Sequence, residues 1–228
     1  MKTEAMMKRL IAALLMTCLA GIASAQDRKL PLVDEAASDP SWMRFKKRLQ
    51  AAIQSQDKPF LLSILDPKIR NQSESTRGVA QFRRQWDLDT TDSPVWRELA
   101  LALQLGSAYM QRDTGTRELC APYVLAKWPG DLAPFENAVV ISRDTSVQPE
   151  PSDSAQALGT LSYDVVRVTD WEVDDKIDAK QKWVKIRYRN REGYVLEEHV
   201  RSPIEHAACF VKSGNNWRMT GFAPAGGE

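Results

Sequence analysis

The chain has 228 residues, of which 31 are Lys or Arg and 30 are Asp or Glu, so its formal net charge is +1. This balance excludes the large basic surplus that nucleic-acid binders and polybasic membrane binders carry. The length is sufficient for one large core or two modest ones, while two histidines and three cysteines leave few side chains for metal or nucleophile chemistry.

The first 25 residues have the three parts of a secretory signal peptide. Its positive start consists of Lys2, Lys8 and Arg9. Residues 10–20 are apolar but too few to span a membrane as a helix. Small residues at 23–25 predict cleavage after Ala25 and therefore an exported, periplasmic protein. A lipoprotein acylated at Cys18 is disfavoured, because Thr17 stands where such signals have a very small residue.

Removal of residues 1–25 would leave a nearly neutral chain with two cysteines, Cys120 and Cys209. Two cysteines in an oxidising compartment usually pair, so we expect a disulfide. Because the closed loop would be long, the chain-entropy relation gives a stabilisation of roughly 4–5 kcal/mol. The alternative is a pair of buried free thiols.

Residues 39–106 predict a helical unit of four amphipathic pieces. The first helix begins at Asp39, an N-cap residue that a proline follows, and the second lies within residues 57–67 and stops at Pro67. A third surrounds Phe82, and the fourth follows Ser93 and ends before Gly106. The apolar positions at helical spacing are Trp42, Phe45, Leu49, Ile53, Val79, Phe82, Trp86, Val95, Trp96, Leu99, Ala102 and Leu103.

Basic residues crowd the other faces of the first helix. They are Arg44, Lys46, Lys47 and Arg48. Such a cluster could bind an anionic polymer, but it is more often a solvated helix face.

The pattern changes after the helical unit. Residues 114–134 contain three prolines and no sustained period, which predicts an extended connector on the surface. A period of two then predicts short strands at residues 139–141, 146–147, 158–161, 165–168, 183–188 and 194–195. Residues 148–156 form a loop rich in proline and serine, and residues 171–181 are a charged excursion. A closing hairpin is predicted from residues 209–212 and 217–222, with a turn at 213–215.

Residues 138–202 resemble the bacterial SH3 (SH3b) domain in the order and spacing of their elements. The matching residues are Ser146-Val147, Pro151-Ser152, Leu158-Gly159, Val165 to Val168, Trp183-Val184-Lys185-Ile186 and Gly193-Tyr194-Val195. Two departures fall in one loop, where Gln148 replaces the family's usual arginine and Glu150 its glycine. The absence of this arginine and this glycine argues against ligand binding through this loop.

The resemblance implies an α+β chain of several units. We expect a signal peptide at 1–25, a helical unit with its connector at 26–134, an SH3b-like β-barrel at 135–203 and a C-terminal hairpin at 204–228 that packs back on the helical unit. A Cys120–Cys209 bond would agree with this arrangement, because it would join the two exits of the barrel. The whole is also similar to exported proteins that combine a helical part, an SH3b module and a closing hairpin.

A search for catalytic sets yields weak candidates. A metal or acid–base cluster could be formed by Glu197, Glu198 and His199. Zinc sites, however, require three or four ligands that converge on one point. A solvated turn is therefore the better interpretation of these residues. Peptidases that accompany SH3b domains need a nucleophilic cysteine, and Cys120 has no surrounding peptidase domain. Residues 87–92 lack the glycine and closing glutamate of a calcium loop. We therefore expect no catalytic residue, no metal and no cofactor.

Aromatic residues of the predicted barrel are the remaining candidates for function. They are Tyr163, Trp171, Trp183 and Tyr194. Aromatic rings in a shallow groove can stack on a peptide or a sugar, although each of the four could equally be a core residue. Trp171 lies in the charged excursion and is the best candidate for an exposed contact. We expect non-catalytic recognition of peptidoglycan peptide or of an envelope protein. The alternatives are an accessory or inhibitor subunit of a cell-wall enzyme and an enzyme of unrecognised type.

Overall fold

A computed structural model describes residues 28–72, 76–214 and 216–224. The predicted signal peptide, its cleavage site after Ala25, and Cys18 all lie outside the described residues. Within these ranges no helix is long and apolar enough to cross a membrane. The described chain mixes helices with mainly antiparallel sheets, so the predicted α+β class is confirmed.

The described residues form five helices and twelve strands. The helices are α1 Pro40–Gln54, α2 Lys58–Ile64, α3 Val79–Gln85, α4 Val95–Gln104 and α5 Tyr123–Lys127. The strands are β1 Leu65–Arg70, β2 Ala108–Gln111, β3 Arg117–Ala121, β4 Asn137–Val140, β5 Thr145–Val147, β6 Gly159–Leu161, β7 Val165–Asp174, β8 Lys182–Tyr188, β9 Arg191–Leu196, β10 Val200–Arg201, β11 His206–Ser213 and β12 Asn216–Pro224. A single 3₁₀ turn, Glu197–His199, connects β9 to β10.

Local sequence explains where α1 and α2 begin. The Asp39 carboxylate accepts hydrogen bonds from the backbone N–H of Ser41 at 2.7 Å and of Trp42 at 3.4 Å. Asp57 accepts one from the backbone N–H of Phe60 at 2.9 Å. These bonds satisfy N–H groups that have no partner inside a helix, so the predicted starts of both helices are confirmed.

The end of the second helix differs from the prediction. The helix stops at Ile64 and the chain continues as β1, where the sequence predicted more helix and then a polar connection. β1 runs parallel to β12, with Leu65 opposite Met219 and Arg70 opposite Gly221. Because this partner comes from the far end of the chain, no local pattern indicates it. Pro67 is tolerated because β1 is an edge strand.

Five strands form a first sheet in the order β1-β12-β11-β3-β2, which we call the helix-backed sheet. One of its faces packs against α1 to α4 and buries an aromatic core. The ring centroid of Trp42 lies 5.1 Å from that of Phe210 and 5.0 Å from that of Trp217. The ring of Trp86 stacks on Phe222 at 4.8 Å. The C-terminal hairpin of β11 and β12 therefore supplies much of the surface on which the helices lie.

The prediction of a surface connector at residues 114–134 is wrong over much of this range. Residues 117–121 are β3, an inner strand between β2 and β11, and residues 123–127 are α5. Leu119, Cys120, Tyr123 and Val124 are fully buried. The three prolines suggested irregular backbone, but the strand partners of β3 lie elsewhere in the chain and supply its backbone hydrogen bonds.

A second sheet has the order β10-β4-β7-β8-β9, and all its pairs are antiparallel. β5 and β6 form a separate pair. The predicted strands in this region are confirmed, although β7 continues through Trp171 to Asp174. Aliphatic side chains fill the core of the second sheet, and they include Ala138, Val140, Val147, Val166, Val184, Ile186 and Val195.

A third, smaller cluster joins the two sheets. It contains Leu30, Ala108, Tyr123, Val124, Val139 and Val165, and the Tyr123 hydroxyl donates to the Leu30 carbonyl at 2.8 Å. The sulfur atoms of Cys120 and Cys209 are bonded at 2.05 Å, so the predicted pairing is confirmed. The bond connects β3 to β11 within the helix-backed sheet, and the loop that it closes contains the whole second sheet.

Candidate functional site

The four aromatic residues singled out from the sequence do not form one cluster. Trp183 and Tyr194 share a face of the second sheet, opposite its aliphatic core, because side chains alternate along β8 and β9. Trp171 is half-buried and packs partly against that core. Tyr163 lies before β7, where its carbonyl accepts from the backbone N–H of Leu30 at 2.7 Å. No ring contact joins any two of the four within the described ranges.

Trp183 is the aromatic residue that lies at a concave surface. Only 1% of Trp183 is exposed, and Gln148 and Asp153 of the loop between β5 and β6, which we call the covering loop, lie near it. Beside it is a depression of about 220 Å³, which we call the Trp183 cleft. Its walls include Asp144, Ser146, Gln148, Asp153, Trp183 and His199. Trp171, the best candidate from the sequence, is not part of these walls.

The Trp183 ring is held in place by a fixed acceptor. Its indole N–H donates to Asp175 Oδ2 at 2.7 Å. The other oxygen of Asp175 accepts from the backbone N–H groups of Ile177 at 2.7 Å and Asp178 at 2.9 Å. The N–H of Asp178, followed by that of Ile177, holds the pKa of Asp175 below its usual range, so the acceptor stays ionised. The ring is therefore preorganised.

The covering loop is attached to the turn between β7 and β8. The backbone N–H of Lys176 donates to the Pro151 carbonyl at 3.0 Å, and the Lys176 ammonium pairs with Glu150. The Gln181 amide donates to Asp153 Oδ2 at 3.2 Å. These contacts fix one wall of the cleft.

Acidic groups dominate the charge of the Trp183 cleft. Among the described residues, neither Asp144 nor Asp153 forms an ion pair with a basic side chain. His199 Nε2 lies 3.8 Å from a Glu198 carboxylate oxygen. Burial, and then the neighbouring Glu172 carboxylate, raise the pKa of Glu197, which stands between Leu196 and Glu198 and does not line the cleft. An acidic, partly desolvated depression of this kind favours a cationic ligand group.

Residues 197–199 were weighed as a metal or acid–base cluster. They form the 3₁₀ turn, with Glu198 exposed and the other two half-buried. In the described part of the chain, one group of metal-ligating side chains comes within 4.8 Å, and it consists of Glu118, Cys120 and Cys209. Both sulfurs of that group belong to the disulfide, which leaves no thiolate ligand.

Glu118 instead belongs to a structural ion pair. Its carboxylate accepts from both terminal nitrogens of Arg70, at 3.0 Å and 2.6 Å, and from the Thr220 hydroxyl at 2.8 Å. Only 2% of the Glu118 side chain is exposed. The network joins β1, β3 and β12 on the face of the helix-backed sheet opposite α1 to α4.

Sequence reasoning did not find the acidic residues of the Trp183 cleft. Asp144 and Asp153 stand in turns where aspartate is common for local reasons, so their residue type carries no signal of its own. The one available signal was the proline- and serine-rich loop at 148–156, which contributes Gln148 and Asp153 to the cleft.

Comparison of the chain with protein-family models, with curated proteins and with solved structures found no match in any of the three.

Proposed function

We propose that the protein is an exported, non-catalytic binding protein whose second sheet and β5–β6 pair form an SH3b-like barrel. An antiparallel bridge between Gln148 and Tyr194 supports this proposal, because it links the pair to β9. Its two backbone bonds are Gln148 N–H to the Tyr194 carbonyl at 2.8 Å and Tyr194 N–H to the Gln148 carbonyl at 2.9 Å. The strands also occur in the order that the SH3b resemblance implies.

The ligand that we propose is a peptide with a positively charged amino group, from the cell wall or from an envelope protein. The single observation that carries this proposal is the pair of carboxylates, Asp144 and Asp153, beside the fixed ring of Trp183 without a basic partner. An ammonium group would form charge-assisted hydrogen bonds with such carboxylates.

The first experiment is a calorimetric titration of residues 26–228 with a purified peptidoglycan peptide whose amine is free. Asp144→Asn combined with Asp153→Asn should weaken binding about tenfold or more, because hydrogen bonds to charged groups contribute about 1.5–3 kcal/mol each. The matched control is Asp92→Asn with Asp113→Asn, which removes two exposed acids from the helix-backed part. Equal weakening by both pairs would contradict the proposal.

Acetylation of the peptide amine provides the complementary test. The acetylated peptide should bind about as weakly as the free amine binds to the Asp144→Asn, Asp153→Asn variant, since both changes remove the same charge interaction. Equal affinity for both forms of the peptide would refute a cationic ligand. Capture from an envelope extract, compared with retention on purified peptidoglycan, distinguishes a protein partner from a cell-wall ligand.

A further inference from the structure

The disulfide of the helix-backed sheet has its sulfur atoms on the face opposite α1 to α4. Cys120 and Cys209 stand opposite each other on β3 and β11. Their neighbours Leu119 and Phe210 belong to the core beneath the helices. Because side chains alternate along a strand, the two sulfur atoms point to the other face. In the folded protein, a reagent that breaks this bond must pass the groups that lie on that face.

Two different groups flank the disulfide there. On the β2 side, Ala108 lies opposite Cys120 and belongs to the small cluster that joins the two sheets. On the β12 side, Gly221 lies opposite Cys209. The Arg70 guanidinium lies over this glycine, since a Cβ atom on it would be 2.9 Å from a terminal nitrogen of the arginine. The disulfide therefore has an apolar cluster on one side and a charged network on the other.

The Glu118 carboxylate of that network lies close to both sulfur atoms. One of its oxygens is within 4.8 Å of the sulfurs of Cys120 and Cys209. Hydrogen bonds from Arg70 and Thr220 hold the carboxylate in this position. Only 2% of the Glu118 side chain is exposed, so water screens its charge weakly. A fixed negative charge thus stands beside the disulfide.

Thiol–disulfide exchange places negative charge at this same position. The attacking thiolate forms a bond to one cysteine sulfur, the bond between the two cysteines breaks, and its electron pair leaves on the second sulfur as a new thiolate. The attacking and the leaving sulfur are both negatively charged. A carboxylate beside them therefore opposes the approach of the first and the departure of the second.

We propose that the Glu118 carboxylate protects the Cys120–Cys209 disulfide from exchange with external thiols. Its charge adds to the protection that burial provides. Without it, the charged groups of the network would be the guanidinium groups of Arg70 and Arg112, of which the second lies 4.0 Å from the carboxylate. Guanidinium groups attract thiolates and stabilise a leaving thiolate. This role does not depend on the function proposed above.

The test compares how fast mercaptoethanol and a neutral trialkylphosphine reduce the disulfide in residues 26–228. The phosphine breaks the same bond, with water converting it to the phosphine oxide, but it approaches without negative charge. Glu118→Gln should raise the mercaptoethanol rate about tenfold more than the phosphine rate, because one nearby negative charge has been removed. Labelling of the freed thiols, followed by mass spectrometry, measures both rates under conditions in which the protein is folded.

Arg70→Gln is the matched control variant. It breaks the same ion pair but retains the carboxylate, so the ratio of the mercaptoethanol rate to the phosphine rate should stay at or below the wild-type value. If Glu118→Gln speeds both reagents equally, it acts by loosening the fold and the proposal is wrong. The proposal also fails if both variants raise the ratio alike, or if Glu118→Gln leaves the mercaptoethanol rate unchanged.

A second measurement needs no variant. The thiolate of cysteamine also carries an ammonium group and is neutral overall, whereas that of mercaptoethanol has a net negative charge. When each rate is divided by the rate of the same thiol with a small, uncharged disulfide, cysteamine should reduce the wild type about threefold faster or more. Equal normalised rates would show that the charge of the attacking thiol does not matter, which would contradict protection by the carboxylate.

Discussion

The two sheets of this protein are assembled in different ways. The second sheet takes all its strands from residues 137–201, whereas the helix-backed sheet combines residues 65–70, 108–121 and 206–224. Their cores differ as well, since the core of the helix-backed sheet contains seven buried Trp and Phe rings among its aliphatic side chains, whereas the core of the second sheet is almost wholly aliphatic. The helix-backed sheet therefore depends on contacts between distant segments, and the disulfide is one of them. The second sheet depends on close packing between neighbouring segments.

Charged pairs show the same contrast. The Arg70–Glu118 pair joins distant strands of the helix-backed sheet and is largely buried. The Arg167–Glu136 pair of the second sheet lies 61% and 56% exposed. Water screens the second pair, so the two should contribute very differently to stability.

The largest expected effect is that of Glu118→Ala, which leaves the Arg70 guanidinium mostly buried without its partner. We expect the free energy of unfolding to fall by about 3 kcal/mol, the lower end of the range for broken buried pairs, because part of Arg70 reaches water. The matched change in the second sheet, Glu136→Ala, should cost about 0–1 kcal/mol. Urea unfolding followed by circular dichroism measures both. If the two substitutions lower the free energy of unfolding by similar amounts, the buried pair stabilises the fold no more than the exposed pair does.

The contrast also explains which parts of the fold could be predicted. β7, β8 and β9 of the second sheet are neighbours both in the chain and in the sheet, and the period of two indicated them. The partner of β1 and one of the two partners of β3 lie far away in the chain, and the residues of these strands looked like a helix end and a connector. The caps at Asp39 and Asp57 are local, and the helix starts were predicted for that reason.

Gly193→Ala tests close packing in the second sheet. A Cβ atom at Gly193 would lie 2.5 Å from Val147 Cγ1 and 3.2 Å from the Cβ of Tyr188. We expect a loss of about 1–3 kcal/mol, the usual cost of overpacking, in thermal or urea unfolding. The control is Gly130→Ala, where nothing lies within 4 Å of the added atom. If both substitutions lower the free energy of unfolding by the same small amount, β5 can move away from β9 and the packing between them is loose.

The candidate sites were harder to predict than the fold. Trp183 was among the aromatic residues singled out, but the acidic residues of its cleft come from separate turns that only the folded chain brings together. The basic residues of α1 were noticed as a cluster, for which a solvated face was the better interpretation, and Arg44 and Arg48 are exposed on that helix.

His206 lies on β11, at the edge of the aromatic core of the helix-backed sheet. Its Nδ1 atom is 3.4 Å from a Glu98 carboxylate oxygen, and its ring centroid is 5.0 Å from that of Trp86 and 5.6 Å from that of Phe222. Burial lowers the pKa of His206, and the Glu98 carboxylate opposes this shift while Arg201 adds to it. The folded protein therefore favours the neutral imidazole.

The smallest predicted effect is the dependence of stability on pH that His206 causes. Because its pKa is lowered on folding, its contribution is fully present above the unfolded value of about 6.5 and is lost as the pH falls through the folded value. Glu205 has a pKa raised mainly by burial, so its own contribution has the opposite sign: it is present at acidic pH and is lost as the pH rises through the folded value. When the pH is lowered from about 7.5 to about 5.5, the free energy of unfolding of the wild type, measured with urea, should fall. That of the His206→Gln variant should fall less. A wild-type slope in His206→Gln would place the titrating group elsewhere, outside the aromatic core that distinguishes the helix-backed sheet.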